Sequence, residues 1–293
     1  MGKLIRAITS DGAVMAIALD STDIVSTAEK YHKTSAVMTA ALGRLLTAGS
    51  MMGNMLKGEK DTITLRISGE GPAKAIVVAA DSKGDVRGYT TDPVVDIPLK
   101  ENGKLDVSGA IGKNGTLTVI KDIGMKEPYN GYLPLVSGEI AEDITAYYAI
   151  SEQIPTVCAL GVLVNPDLSV NCSGGYIIQL LPGADNKTID MLEANVKKMP
   201  SVTSLMESGK SIEDILYMAL EGFETEILYE QNTAYRCNCS RERTAEILKS
   251  IDREELLNMA DELPVVEVAC HFCPQVYKFK PEEIRKLANL KKS

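Results

Sequence analysis

The sequence contains no tryptophan, two histidines and three phenylalanines, and all three phenylalanines lie beyond residue 220. The first 220 residues must therefore build their core from aliphatic side chains, methionine and tyrosine. His32 and His271 are too few to make a serine-type triad a reasonable prediction, and the chain has no His-Glu-x-x-His motif of a zinc enzyme. We expect a protein that is not an enzyme.

Long apolar runs are also missing. The first six residues have no apolar stretch of signal-peptide length, and the longest region of small apolar residues, 37–56, is interrupted by Arg44. We therefore expect a cytoplasmic protein with no membrane partner. In that reducing compartment, paired cysteines favour metal or redox chemistry over structural disulfides.

Negative charge is concentrated in most of the chain. The net charge is −9, yet residues 231–293 carry 11 basic and 10 acidic side chains, which leaves the acidic excess in the preceding 230 residues. General nucleic-acid binding depends on neutralising phosphates with basic side chains. The composition therefore predicts that nucleic acid is not a partner.

The length of 293 residues and the 45% hydrophobic content indicate a globular protein of two or three domains. Two β-like runs, Leu4–Thr9 and Ala13–Leu19, flank a turn sequence, and Ser35–Lys57 is typical of a buried helix. Further short alternating runs follow as far as residue 181. Residues 1–183 are predicted to form an α+β domain with a mainly antiparallel sheet.

The composition changes after residue 183. Ile189, Leu192, Val196 and Met199 recur at helical spacing, and no strand is predicted between residues 185 and 230. We interpret residues 184–230 as a helical linker. Isolated helices this short are marginal in water, so their apolar faces need a partner surface.

Four cysteines dominate the remaining segment, 231–293. Cys237 and Cys239 form a Cys-x-Cys pair, and Cys270 and Cys273 form a Cys-x-x-Cys pair thirty residues later. Four thiolates in two pairs match a closed tetrahedral zinc site. A unit of about 60 residues is also marginal on its apolar core alone, which makes a metal expected. The segment is predicted to be a small C-terminal zinc-binding domain holding one zinc ion, with His271 as a bystander.

The same four thiols can leave the metal as disulfides. Bonds between Cys237 and Cys239 and between Cys270 and Cys273 would remove every ligand, so the site is a possible redox switch. The other two cysteines, Cys158 and Cys172, lie on strand-like segments, and we interpret them as inert core residues.

Two other functions fit parts of this pattern. A thiol-disulfide oxidoreductase would use Cys270 and Cys273, but it leaves Cys237 and Cys239 unexplained. A zinc module that binds nucleic acid or a fixed protein partner fits the near-neutral C-terminal segment better than it fits the acidic remainder.

The spacing and C-terminal position of the cysteines resemble those of the Hsp33 family, the redox-regulated holdase chaperones of bacteria. The sequence Cys-Asn-Cys-Ser-Arg-Glu-Arg at 237–243 is similar to the first zinc half-site of that family. The segments 151–156 and 174–183 are similar to segments of its first domain. Cys158 and Cys172 are not part of the family pattern.

The resemblance implies a specific activity. In the reduced state, Cys237, Cys239, Cys270 and Cys273 would bind one zinc ion and the protein would be an inactive monomer. Oxidation would form the Cys237–Cys239 and Cys270–Cys273 disulfides, release zinc and unfold the linker. The resulting homodimer would bind unfolded or aggregation-prone client proteins without ATP.

Overall fold

The computed structural model describes residues 1–290. The chain divides into two compact units, the first spanning Met1–Arg236 and the second beginning at Cys237. The last three residues of the predicted zinc-binding domain, 291–293, lie outside the described residues. The further division of the first unit at residue 183 stays a prediction.

The strands are short and all pair with antiparallel neighbours. In chain order they are β1 (Gly2–Thr9), β2 (Val14–Asp20), β3 (Thr62–Gly69), β4 (Ala75–Asp81), β5 (Val86–Thr90), β6 (Gly115–Asp122), β7 (Tyr129–Pro134), β8 (Thr156–Val164), β9 (Val170–Leu180), β10 (Thr225–Thr233), β11 (Val266–Ala269) and β12 (Val276–Phe279).

The α-helices range from one turn to five. They are α1 (Thr22–His32), α2 (Ala36–Asn54), α3 (Val107–Ile111), α4 (Ala141–Tyr147), α5 (Asn186–Lys198), α6 (Val202–Glu207), α7 (Ile212–Ala219), α8 (Arg241–Leu248), α9 (Arg253–Glu262) and α10 (Pro281–Leu290). A π-helical turn, Tyr148–Glu152, continues α4. Within residues 1–290, no helix is both long and apolar enough to cross a membrane.

The first unit contains two five-stranded sheets. The first sheet has the order β10-β1-β2-β9-β8, and the second has the order β5-β4-β3-β6-β7. The predicted hairpin of β1 and β2 is present, and Asp11 fixes its turn by accepting hydrogen bonds from the Thr9 hydroxyl and the Ala13 N–H. The α+β class with antiparallel sheets is therefore confirmed.

Helix α2 fills the centre of the first unit. Its side chains are buried on nearly every face, as the Ser35–Lys57 sequence predicts, because it contacts strands of both sheets. Gly49 permits this close packing, since a Cβ there would meet Val78 Cγ1 at 2.6 Å. The surrounding core consists mainly of aliphatic and methionine side chains, with Tyr147 as its largest fully buried member.

Helices α5, α6 and α7 cover the other face of the first sheet. Their buried side chains pack on alanines and branched residues of β1, β2 and β9, forming an apolar cluster separate from the core around α2. Helix α6 approaches closely because Gly161 and Gly174 lie beneath it. A Cβ at these positions would meet Thr203 Cγ2 at 2.7 Å and Met206 Sδ at 2.9 Å.

Strand β10 lies inside the segment predicted to contain no strand, and that prediction was wrong. It pairs with β1 along its length and forms an edge of the first sheet. Its outward positions carry Glu226 and Glu230, and its inward positions include Tyr229 and Gln231. An edge strand exposes one face to water, so its sequence is too polar to stand out as β-like.

The second unit has a small core of its own. The hairpin of β11 and β12 packs with α8, α9 and α10, and the buried side chains include Leu248, Leu256, Phe279 and Ile284. Pro281 begins α10, where its missing N–H has no helical partner to lose.

Candidate metal centre

The first cysteine pair lies on the extended segment that precedes α8. Ser240 ends this segment and caps α8, because its hydroxyl accepts a hydrogen bond from the Arg243 N–H at 3.2 Å. The cap fixes where the helix begins and so fixes the path of the two preceding cysteines, Cys237 and Cys239.

The second cysteine pair lies in the turn between β11 and β12. The Cys270 N–H donates to the Gln275 carbonyl at 2.9 Å, which closes the turn. The four paired residues of the hairpin, from Val266–Phe279 to Ala269–Val276, hold the two ends of the turn together. Cys270 and Cys273 are thereby presented on one short loop.

The four sulfur atoms converge, and all lie within 4.8 Å of one another. The shortest separations join one pair to the other: Cys237 Sγ to Cys270 Sγ is 3.6 Å, and Cys239 Sγ to Cys273 Sγ is 3.5 Å. A tetrahedral site with Zn–S bonds near 2.3 Å places its sulfurs about 3.8 Å apart. The four cysteines are therefore positioned to bind a metal ion.

The thiols are unbonded, because disulfide sulfurs lie about 2.05 Å apart and all six cysteines are free. Burial raises the pKa of the Cys237 thiol, and it raises the pKa of Cys273 to about 11. A bound cation reverses this effect, because it stabilises thiolates directly. Four half-buried thiols packed together thus form a site that favours a soft cation.

Tyr277 donates a hydrogen bond from its hydroxyl to Cys239 Sγ at 3.2 Å. Burial alone would raise the pKa of Cys239, but this hydrogen bond, followed by those with the neighbouring cysteines, outweighs it and lowers the pKa. The hydrogen bond to Cys239 also raises the pKa of Tyr277 to about 12. The sequence analysis missed Tyr277, although strand alternation after Cys273 was the signal available.

The remaining cysteines lie in the first unit and are not among the four clustered thiols. Cys158 is on β8, where burial raises its pKa. Cys172 is on β9, where burial raises its pKa to about 11, and its Sγ lies 3.7 Å from the Thr203 carbonyl of α6. Both thiols are held in the neutral, unreactive form, in keeping with their interpretation as core residues.

The histidines do not extend the cluster, whose members are the four cysteines. His32, predicted as a surface residue of a helix, is half-buried in α1, and its Nε2 lies 3.1 Å from the Tyr235 hydroxyl. Burial lowers its pKa. This contact explains the burial of His32 within the first unit.

The predicted apolar stripe of the linker faces the first sheet. Leu192 of α5 is buried in the apolar cluster of α5–α7, with Val196 and Met199 packed at its edge. Met206 of α6 packs there too, whereas Met218 of α7 is exposed. The covered face would present apolar surface if these three helices left it.

Comparison with known proteins agrees with this architecture. A family model described as "Hsp33 protein" matches residues 2–280. The chain is 49% identical to a "33 kDa chaperonin" of Clostridium perfringens, over 97% of this chain and 90% of that protein. It is 47% identical to one of Clostridium tetani, over 98% of each.

A solved structure shows the same fold. The crystal structure of the 33 kDa chaperonin (heat shock protein 33 homolog) of Thermotoga maritima superposes with a TM-score of 0.90 at 35% identity. The match covers 99% of this chain and 98% of that one. The similarity therefore extends over both units.

Proposed function

The chain belongs to the Hsp33 family, and on that premise we propose that it is a redox-regulated holdase chaperone that works without ATP. The observation that carries the proposal is the convergence of Cys237, Cys239, Cys270 and Cys273 within 4.8 Å. Such a cluster can hold a metal when reduced and must release it when oxidised.

We propose zinc as the metal, with all four cysteines as ligands and one ion per chain. The sulfur separations of 3.5 and 3.6 Å suit its tetrahedral geometry, and thiolates are ligands that zinc prefers. Bound zinc supplies a cation that holds the thiolates together without redox chemistry of its own. The reduced protein is then an inactive monomer.

Oxidation converts each cysteine pair into one disulfide. With hydrogen peroxide, one thiolate attacks an oxygen and releases hydroxide, forming a sulfenic acid. The second thiolate of the pair attacks that sulfur and releases a second hydroxide, so each disulfide supplies the two electrons that reduce one peroxide. The bonds are Cys237–Cys239 and Cys270–Cys273, and no ligand remains for the metal.

Loss of the metal destabilises the second unit, and the linker of residues 184–230 then unfolds. Its helices α5–α7 leave the first sheet, which frees an apolar face containing Ala16, Ala18 and Ile178. Unfolded and aggregation-prone proteins bind to surfaces of this type because they too expose apolar side chains. The active form is a homodimer.

We further propose that the protein acts in the cytoplasm, binds neither nucleic acid nor membranes, and catalyses no reaction. The acidic excess of residues 1–230 supports the first exclusion. The names of the relatives, all chaperonins, support a binding function rather than catalysis.

A paired titration tests the proposal. Zinc release is measured against added oxidant, and each sample is then assayed for suppression of aggregation of a chemically unfolded client protein. Zinc loss that coincides with gained activity, and recovery of inactivity with reductant and zinc, is the expected result. Zinc loss with no gain in client binding would reduce the site to a structural one.

A further inference from the structure

A tyrosine hydroxyl links the two halves of the cysteine cluster. Tyr277 lies on β12, which follows the second cysteine pair, yet its Oη donates to Cys239 Sγ of the first pair at 3.2 Å. The backbone pairing of Tyr277 with Val268 of β11 fixes the position of the ring on the hairpin. The phenol therefore connects the loop that carries Cys270 and Cys273 to the segment that carries Cys237.

The other sulfur contacts differ in kind. Cys237 is approached by the backbone of Cys239, and Cys273 by the backbone of Gln275, in hydrogen bonds that formation of each turn provides. Tyr277 contributes a side-chain donor to the cluster. It can therefore set the reactivity of one sulfur without being required for the path of the chain.

We infer that Tyr277 is a positioning residue that stabilises the metal-bound cluster and slows oxidation of the Cys237–Cys239 pair. The inference rests on the metal centre of the proposed function. A hydroxyl that donates to a thiolate withdraws electron density from the sulfur, which makes the sulfur a weaker nucleophile toward peroxide. It also orients the ligand, and loss of such supporting hydrogen bonds typically weakens metal affinity by about 10- to 100-fold.

The slowed step is the attack of a thiolate on peroxide. Where Cys239 is the attacking sulfur, the hydrogen bond must weaken before its lone pair reaches oxygen. Where Cys237 attacks first, the hydrogen bond instead restrains Cys239 from reaching the new sulfenic acid. In both orders the pair loses two electrons, peroxide leaves as two hydroxides, and Tyr277 is unchanged.

The test compares the full-length chain with Tyr277→Phe, which removes only the hydroxyl, and Val268→Ala, which trims the cross-strand neighbour and keeps the hydroxyl. Circular dichroism first establishes that each metal-loaded variant is folded. Each is then loaded with cobalt(II), whose sulfur-to-metal charge-transfer absorption reports the electron density on the ligands. Metal affinity is measured by competition with a chelator, and the rate of metal release is measured in peroxide.

Tyr277→Phe is expected to shift the charge-transfer band to lower energy, weaken metal affinity by about 10-fold or more, and speed release by several-fold. Val268→Ala should leave the band in place. An unchanged band in Tyr277→Phe, or a release rate equal to that of Val268→Ala, would overturn the inference while leaving the metal centre intact. Failure of the unsubstituted chain to bind cobalt or zinc would overturn both.

Discussion

The two units of this molecule achieve stability by different means. The first unit, Met1–Arg236, buries 38 apolar side chains around α2 and 16 more beneath α5–α7. The second unit, which begins at Cys237, has a buried cluster of seven. A core of that size rarely supports a domain alone. The comparison indicates that the first unit is stable by itself and that the second depends on its metal.

A second difference lies in the cysteines. Those of the first unit are kept neutral by burial, whereas those of the second lie together and half-buried. An oxidant therefore meets reactive sulfur mainly where loss of that sulfur also removes the structural metal. Sensitivity to oxidation and dependence on the metal coincide in one unit.

Removing one ligand should produce the largest effect. Cys270→Ser is expected to abolish tight metal binding and unfold the second unit, because metal binding in small domains contributes on the order of 10–16 kcal/mol. Metal content and tryptic cleavage within residues 237–290 measure this. Cys158→Ala, which alters a thiol of the first unit, is the matched control and should keep its metal. A folded, protease-resistant Cys270→Ser second unit would refute the metal dependence.

A cavity in the first unit should have the opposite distribution of effects. Leu45 of α2 is fully buried, and Leu45→Ala is expected to lower the free energy of unfolding of the first unit by about 2–5 kcal/mol. Urea unfolding followed by circular dichroism measures the loss, and chelator competition measures metal affinity. Weaker metal binding in this variant would show that the two units are not independently stabilised.

The linker of residues 184–230 should respond separately from both cores. Leu192→Asn places an amide in the apolar cluster of α5–α7, at a cost of about 1–3 kcal/mol. Helix α5 should leave the sheet, so the reduced, metal-loaded protein gains client binding; polar substitutions at Ile189 and Val196 should act likewise. Glu193→Gln, on the exposed side of the same helix, is the control. An undocked linker with no gain in client binding would contradict the account.

Acid should produce the smallest effect in the first unit. The Glu152 carboxylate accepts hydrogen bonds from Lys121 and Tyr147; burial opposes ionisation, but these contacts outweigh it and lower the pKa of Glu152. A carboxyl with a lowered folded-state pKa stabilises the protein above its unfolded-state pKa, and that stability is lost as pH falls through the folded value.

Glu152→Gln should therefore flatten the decline in stability of the first unit on the acid side, as measured by urea unfolding at a series of pH values. The exposed Glu101→Gln is the control and should leave the slope unchanged. The pH at which metal is released should be the same in both variants. A parallel shift in metal release would contradict the separation of the two units.

Much of this structure could be predicted from local patterns. The buried helix α2 is evident from its run of small apolar residues, and the metal centre from the spacing of four cysteines. Each signal lies within a short stretch of sequence, or in a spacing that has few physical interpretations.

What could not be predicted depends on contacts distant in sequence. Strand β10 is a strand because β1, more than 200 residues earlier, offers it an edge. The hydrogen bond from Tyr277 to Cys239 spans 38 residues and requires the folded hairpin. Neither the polar alternation of β10 nor a lone tyrosine after Cys273 indicates these partners.

Hydrogen exchange read by mass spectrometry tests the central claim, that loss of the metal-held second unit uncovers the sheet of the first. The reduced, zinc-loaded chain is compared with the oxidised, zinc-free chain. The account predicts that peptides of α5–α7 lose protection together with those of the second unit, while α2 stays protected. Retained protection of α5–α7 after complete zinc release and formation of both disulfides would contradict it.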